Sequence, residues 1–134
     1  MISEIGFVFL TLTLVISSFS FAQLIYSHIN SRIFVLNHLK ITNLIFFFTL
    51  SSFISLTYSF LISDFSLNVV AQNSNSQLPT IYKFTGVWGN HEGSILLWLL
   101  VMTFFGFLFS KNSSATKEFK NNVLKIQNSL CFLV

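Results

Sequence analysis

The residues best equipped for chemistry in this sequence stand together in one short stretch, Val87-Trp88-Gly89-Asn90-His91-Glu92-Gly93-Ser94. An imidazole beside a carboxylate invites a metal reading, but one His and one carboxylate are too few ligands for a metal centre. The single cysteine, Cys131, excludes an internal disulfide and any cysteine-cluster metal site. No metal site is therefore expected, and no catalytic residue is assigned. Other features of the stretch suit a structural junction. Gly89 and Gly93 permit a tight backbone, and Asn90 or Ser94 can cap a helix that follows. Glu92 near a helix N-terminus is favoured by the partial positive charge there. Two readings stand side by side, a junction and a chemical site, and spacing favours the junction.

The elements that must position this stretch belong to a membrane. Charged residues are 8% of the 134, against about 25% in an ordinary globular protein. Hydrophobic residues are 53%, with eighteen Phe. Eleven charges cannot furnish the polar surface of a soluble domain. The seven basic residues behind the net charge of +3 are thinly spread, so nucleic acid is excluded as a partner. The lipid bilayer is the expected solvent.

Three long uncharged stretches follow from this. Residues 5–26 and 41–62 each form a run of 22, about 33 Å as a helix and enough to cross a hydrocarbon core of about 30 Å. Residues 93–110 form a shorter third run. In lipid every backbone N–H and C=O must be paired internally, so all three are read as helices. A cleavable signal peptide competes for the first run, where Ser20-Phe21-Ala22 resembles a cleavage site. Glu4, the lack of a basic residue before the run, and its length favour a retained span.

The loops set the orientation. The first connection holds Arg32 and Lys40 beside His28 and His38. The second, 63–92, holds Lys83 against Asp64 and Glu92. Lys111, Lys117, Lys120 and Lys125 follow the third span against Glu118. The positive-inside rule places the N-terminus and loop 63–92 outside and the lysine-rich segment inside.

Within the outer loop, a polar turn Asn73-Ser74-Asn75-Ser76-Gln77 leads to Leu78-Pro79. Pro79 suits the first position of a helix, where a missing N–H costs nothing. Ile81, Phe84 and Trp88 then recur at i, i+3, i+7, which predicts a short helix lying in the interface among aromatic residues. At the other end, residues 126–134 turn apolar again. Nine residues make about 13 Å of helix, less than half a bilayer. An amphipathic surface tail and a truncated fourth span are both open, and the uninterrupted Leu130-Cys131-Phe132-Leu133-Val134 favours the second. The expected fold is an all-α membrane protein of three transmembrane helices plus this truncated fourth, with one interfacial helix.

These residues suggest a family. Asp64-Phe65-Ser66, the run from Asn73 to Pro79, Tyr82-Lys83-Phe84 and Trp88-Gly89-Asn90-His91-Glu92-Gly93-Ser94-Ile95-Leu96-Leu97-Trp98 closely resemble the first outer loop and third helix of CcmF-type proteins. The opening Met1-Ile2-Ser3-Glu4-Ile5-Gly6 is similar to the start of that family. The resemblance covers essentially the whole chain as an amino-terminal portion, and Trp88, Gly89, His91, Glu92, Gly93, Ser94 and Trp98 are its motif residues. It implies a membrane subunit of the haem lyase complex, which attaches haem covalently to apocytochrome c on the outer face. Haem, a haem chaperone, apocytochrome c and the other cytochrome c maturation subunits are the implied cofactor and partners. The bacterial or the mitochondrial inner membrane is the implied location.

The family's haem-binding signature, a tryptophan-rich loop flanked by outward histidines, does not occur here. Trp88 and Trp98 are the two tryptophans present. The resemblance thus places haem binding in sequence absent from this chain, whether through truncation or a naturally split subunit. The competing function class is a non-catalytic accessory subunit of a respiratory or transport membrane complex. A transporter is expected to carry charges within its spans, and none of the three does.

Overall fold

A computed structural model describes residues 2–30, 37–112 and 115–134. Arg32, in the basic first connection, and Met1 lie outside the described residues. Among the described residues the fold has six helices: α1 (Ile2–Asn30), α2 (His38–Leu61), α3 (Asn68–Asn73), α4 (Thr80–Gly86), α5 (His91–Lys111) and α6 (Lys117–Leu130). No strand occurs among the described residues. Three of these helices, α1, α2 and α5, are long and apolar enough to cross a membrane. The all-helical expectation is met.

Side-chain pairs fix the packing of the long helices. Phe9 stacks on Phe48 at 5.7 Å, so α1 and α2 run antiparallel with α1's start beside α2's end. Phe46 stacks on Phe107 at 4.8 Å and Ser110 donates to Asn43 Oδ1 at 3.0 Å, so α5 also runs antiparallel to α2. The interior these helices share is lined by small and hydroxylated residues. Thr13, Ser17 and Ser20 of α1, Thr42, Thr49, Ser52, Ser55 and Ser59 of α2, and Thr103 of α5 are all buried. Many large apolar side chains point outward, with Phe7 68%, Phe105 63% and Trp98 72% exposed, while Ile45, Phe46 and Phe60 are buried. That inversion suits a protein whose surroundings are lipid.

At the lysine-rich end, α6 returns against α1, α2 and α5. Thr116 caps it by accepting from the Phe119 N–H at 3.4 Å. Its polar residues face the bundle: Asn121 Oδ1 accepts from the His38 N–H at 2.8 Å, and Gln127 Nε2 donates to the Met102 carbonyl at 2.6 Å. Asn37, the residue before α2, makes no side-chain cap bond, so Asn121 caps α2 from across the interface. The helix stops at Leu130 and residues 131–133 form turns, with Phe132 against Phe21 at 5.3 Å. The apolar end expected at 126–134 is thus the last turn of a packed helix plus a turn.

The loop after α2 departs from the sequence reading in three places. Helix α3 was not expected; Val70, fully buried in a cluster with Phe60 and Val87, makes it through tertiary packing. Pro79 stands one residue before α4 rather than at its first position. With φ −54° and ψ 146° it holds the extended conformation of a cap residue, and its carbonyl accepts from the Tyr82 and Lys83 N–H groups. Trp88 lies beyond the end of α4, so the apolar stripe keeps Ile81 and Phe84 alone. No residue of α4 is buried. Lys83 anchors it by donating from Nζ to Ser63 Oγ at 2.6 Å.

Candidate functional site

The junction stretch builds a compact knot between α4 and α5. After Gly86 the chain makes two turns, with the Val87 N–H donating to Phe84 O at 3.2 Å and the Gly89 N–H to Thr85 O at 3.1 Å. Asn90 is then extended, at φ −112° and ψ 166°, and begins α5. Its buried side chain works in two directions. Oδ1 accepts from the Gly93 N–H at 2.7 Å, while Nδ2 donates to Gly86 O at 2.8 Å and Val87 O at 3.2 Å. One amide therefore satisfies a free donor at the start of α5 and free acceptors at the end of α4. Of the two caps the sequence offers, Asn90 is used; Ser94 Oγ donates instead to His91 O at 3.0 Å.

Gly93 is required by the same knot. A Cβ at this position would lie 1.6 Å from the Val87 carbonyl oxygen and 2.8 Å from its carbon. Val87 is fully buried with Phe60 and Val70, and Trp88 packs partly buried against that cluster. Phe84 meets the Trp88 ring edge-on at 4.9 Å. The structure thus brings together Trp88, Gly89, Asn90, Gly93 and Ser94 as backbone and core.

His91 and Glu92 face outward, both exposed in the first turn of α5. Glu92 borders two apolar cavities that flank the start of α1. One, of about 220 Å³, is lined by Leu10, Thr13, Leu99 and Cys131. The other, of about 250 Å³, is lined by Gly6, Ser55 and Leu67. Trp98, two turns along α5, points away from the bundle and takes no part in the knot. Nearby, Asp64 Oδ1 accepts from Ser66 Oγ at 2.6 Å and from the Ser66 N–H at 3.2 Å. These bonds hold the Asp64 carboxyl below its usual range.

Among the described residues no group of three His, Cys, Asp or Glu side chains can hold a metal ion. Imidazole is one common axial ligand of haem iron, and His91 and His38 are not placed to act as a pair. His91 opens α5, whereas His38 opens α2 at the opposite end of the bundle and is buried against α6.

Asn90 is the residue that sequence reasoning undervalued. Its position just before His91 marks a cap, but its two bonds back to α4 carry no signature in spacing. Ser63 is similarly silent. It adopts φ 56° at the end of α2, where the Asp64 N–H donates to Ser59 O at 2.9 Å and closes the helix.

No family model matches the chain, and no solved structure does. Among curated proteins it is similar to the cytochrome c-type biogenesis protein ccl1 of Rhodobacter capsulatus, 46% identical over 86 residues, which are 62% of this chain and 13% of that protein. CycK of Rhizobium meliloti is 53% identical over 79 residues, 57% of this chain and 11% of the relative. CcmF of Pseudomonas fluorescens is 52% identical over 69 residues, 49% of this chain and 10% of the relative. Both carry the name cytochrome c-type biogenesis protein. The resemblance seen in the sequence is therefore matched by the relatives themselves, and the matched stretch spans about one eighth or less of each.

Proposed function

Starting from that similarity, we propose that the chain serves cytochrome c maturation as the amino-terminal membrane region of a haem lyase subunit. The complex it belongs to attaches haem covalently to apocytochrome c. The identity of 46–53% to cytochrome c-type biogenesis proteins is the observation that carries this reading. The other maturation subunits, a haem chaperone and apocytochrome c are its partners, in a bacterial or mitochondrial inner membrane. Loop 63–92 and the N-terminus lie on the outer face, a placement supported by the lysines after α5.

In this reading the chain's own residues do positional work. Gly93 and Asn90 lock the start of α5 to the end of α4, and α4 leaves Ile81 and Tyr82 exposed beside it. A fixed outer surface of this kind suits a reaction in which a planar porphyrin must be held beside a peptide, because positioning supplies much of such a barrier. His91 and Glu92 project from that surface. Haem itself is held by other parts of the assembly.

Disruption of the gene in its own host, followed by staining of denatured proteins for covalently bound haem, tests the proposal. Covalent haem in c-type cytochromes should fall to background and return when the gene is restored. Normal covalent haem after disruption refutes it.

A further inference from the structure

Helix α4 turns its polar side to the protein and its apolar side away from it. Lys83 and Gly86, nearly one turn apart, face the bundle. Lys83 Nζ donates to Ser63 Oγ at 2.6 Å, and Gly86 lies against the Phe60 ring, where a Cβ would stand 3.4 Å from Cε1. At 3.6 residues per turn, Ile81, Tyr82, Phe84 and Thr85 share the arc on the other side. All four are exposed, Ile81 by 68% and Tyr82 by 63%. Thr85 Oγ1 donates to the Tyr82 carbonyl at 3.2 Å, so its hydroxyl is satisfied within the helix. Such an arc is at odds with water and calls for an apolar cover.

Contacts fix the depth at which α4 lies. Its middle is tied to Ser63, two residues beyond the end of α2, and its last residue, Gly86, to Phe60 in the last turn of α2. The carbonyl of the next residue, Val87, stands beside Gly93 in the first turn of α5. Both α4 attachments therefore sit at the level where two spans end, and the helix runs along that level. The 24 residues of α2 make about 36 Å, against a hydrocarbon core of about 30 Å, so that level is the edge of the core. The surface that α2 shows to lipid also leads there. Ile54, Tyr58 and Ile62 form an exposed apolar row on α2, and Ile62 is the neighbour of Ser63, where α4 attaches.

We propose that α4 is an in-plane membrane helix whose Ile81–Tyr82–Phe84 arc inserts into the boundary between headgroups and acyl chains. The cover is the lipid that already surrounds α2, continued past Ile62. Ile81 and Phe84 enter the acyl edge, and the Tyr82 ring sits where amphipathic aromatic groups settle, with its hydroxyl towards the headgroups. Through the bonds of Asn90 to Gly86, Val87 and Gly93, α4 then sets the depth at which α5 begins. The proposal concerns the seat of the chain in the bilayer. It holds whichever compartment this end faces and whatever the chain does in cytochrome c maturation.

Electron paramagnetic resonance on the full chain in phosphatidylcholine vesicles tests this. In a Cys131→Ser background, one nitroxide is attached per chain, through Ile81→Cys, Tyr82→Cys, Asn75→Cys or Phe105→Cys. All four native side chains are exposed, and helical circular dichroism equal to the parent's shows that each labelled chain is folded. Collisions with oxygen, which concentrates among acyl chains, are compared with collisions with a water-soluble nickel chelate. Phe105, in the middle of α5, gives the lipid reference, and Asn75, in the polar turn, the aqueous one. The Ile81 and Tyr82 labels should favour oxygen over the chelate, as Phe105 does, while Asn75 shows the reverse ratio. Chelate collisions at Ile81 and Tyr82 equal to those at Asn75 overturn the proposal, because the arc then faces water. Few collisions with either reagent at both positions also overturn it, because a second copy of the chain would then be the cover.

Discussion

Gly93→Ala is the substitution on which two physical arguments give opposite signs. Helix propensity alone favours it, since Ala is better than Gly in a helix by about 1 kcal/mol. The geometry of the junction opposes it. The new Cβ would stand 1.6 Å from the Val87 carbonyl oxygen, about 2 Å short of ordinary contact. Neither atom is the end of a flexible side chain, so the backbone must part. Moving Gly93 away breaks its N–H bond to Asn90 Oδ1, 2.7 Å long, and a lost N-cap costs about 1 kcal/mol. Moving Val87 instead pulls a fully buried side chain from the Phe60–Val70 cluster, worth about 1.5–3 kcal/mol if fully exposed. Either escape at least cancels the propensity gain, and exposing Val87 exceeds it, so the expected net loss is up to about 2 kcal/mol. Gly106→Ala is the control. Its Cβ would meet only the end of the Gln127 side chain, and that side chain can swing aside. Thermal loss of helical circular dichroism in detergent reads both. Gly93→Ala should melt below the parent chain and Gly106→Ala no lower than it. A Gly93→Ala chain that melts at or above the parent refutes the steric account.

Three further expectations follow from the same structure. Glu92→Gln should lower stability by about 0.3–1 kcal/mol through the lost helix-end interaction, and cytochrome c maturation by a complete subunit carrying it should persist; loss of maturation at normal protein abundance would make Glu92 a chemical group. Gly6→Val should separate α1 from α2, because a Cβ there would lie 2.6 Å from Ser55 Oγ and 2.8 Å from Ser55 Cβ; a faster proteolysis of the chain in detergent checks it, and unchanged protease resistance counts against the close approach. In a Cys131→Ser background, a cysteine at Asn75 should react with an impermeant maleimide from outside, whereas one at Asn122, exposed on α6, should be protected in sealed cells or mitoplasts. The reverse pattern inverts the orientation.

The three apolar helices were legible because length and the absence of charge suffice in lipid, where no other backbone arrangement pairs its own polar groups. The cap at Asn90 was legible for a similar reason, being a local event set by residue type. Which face of each span turns inward was not. A helix that is apolar all round offers periodicity no contrast, and the true signal, the recurrence of Thr42, Thr49, Ser52, Ser55 and Ser59, is one of size rather than polarity. Helix α3 and the placement of Trp88 were hidden because both depend on Val70 and Val87 meeting Phe60 across the loop. The packing of α6 was hidden too. Its buried Lys120 and Asn128 are residue types that ordinarily mark a solvated face.

That buried polar face and the hydroxyl stripe explain how the bundle holds together without a hydrophobic drive between its helices. The hydroxyls on the stripe are largely satisfied within their own helices: Thr13 donates to Phe9 O at 3.0 Å, Thr49 to Ile45 O at 2.8 Å and Ser59 to Ser55 O at 3.1 Å. They ask nothing of the neighbouring helix and, being small, let it approach. Binding between helices then falls to a few specific contacts, each worth about 0.6–2 kcal/mol in a membrane. Several gather at the lysine-rich end, where Asn128 Oδ1 accepts from Thr42 at 3.1 Å, Asn121 caps α2, and Asn43 accepts from Ser110. The opposite end is held differently, by the Gly6–Ser55 approach and by the knot of Val87, Asn90 and Gly93. Because the two ends share none of these residues, losses at one should leave the other intact. A Gly93→Ala and Asn128→Leu pair should accordingly be additive in melting, as distant sites with no common partner are.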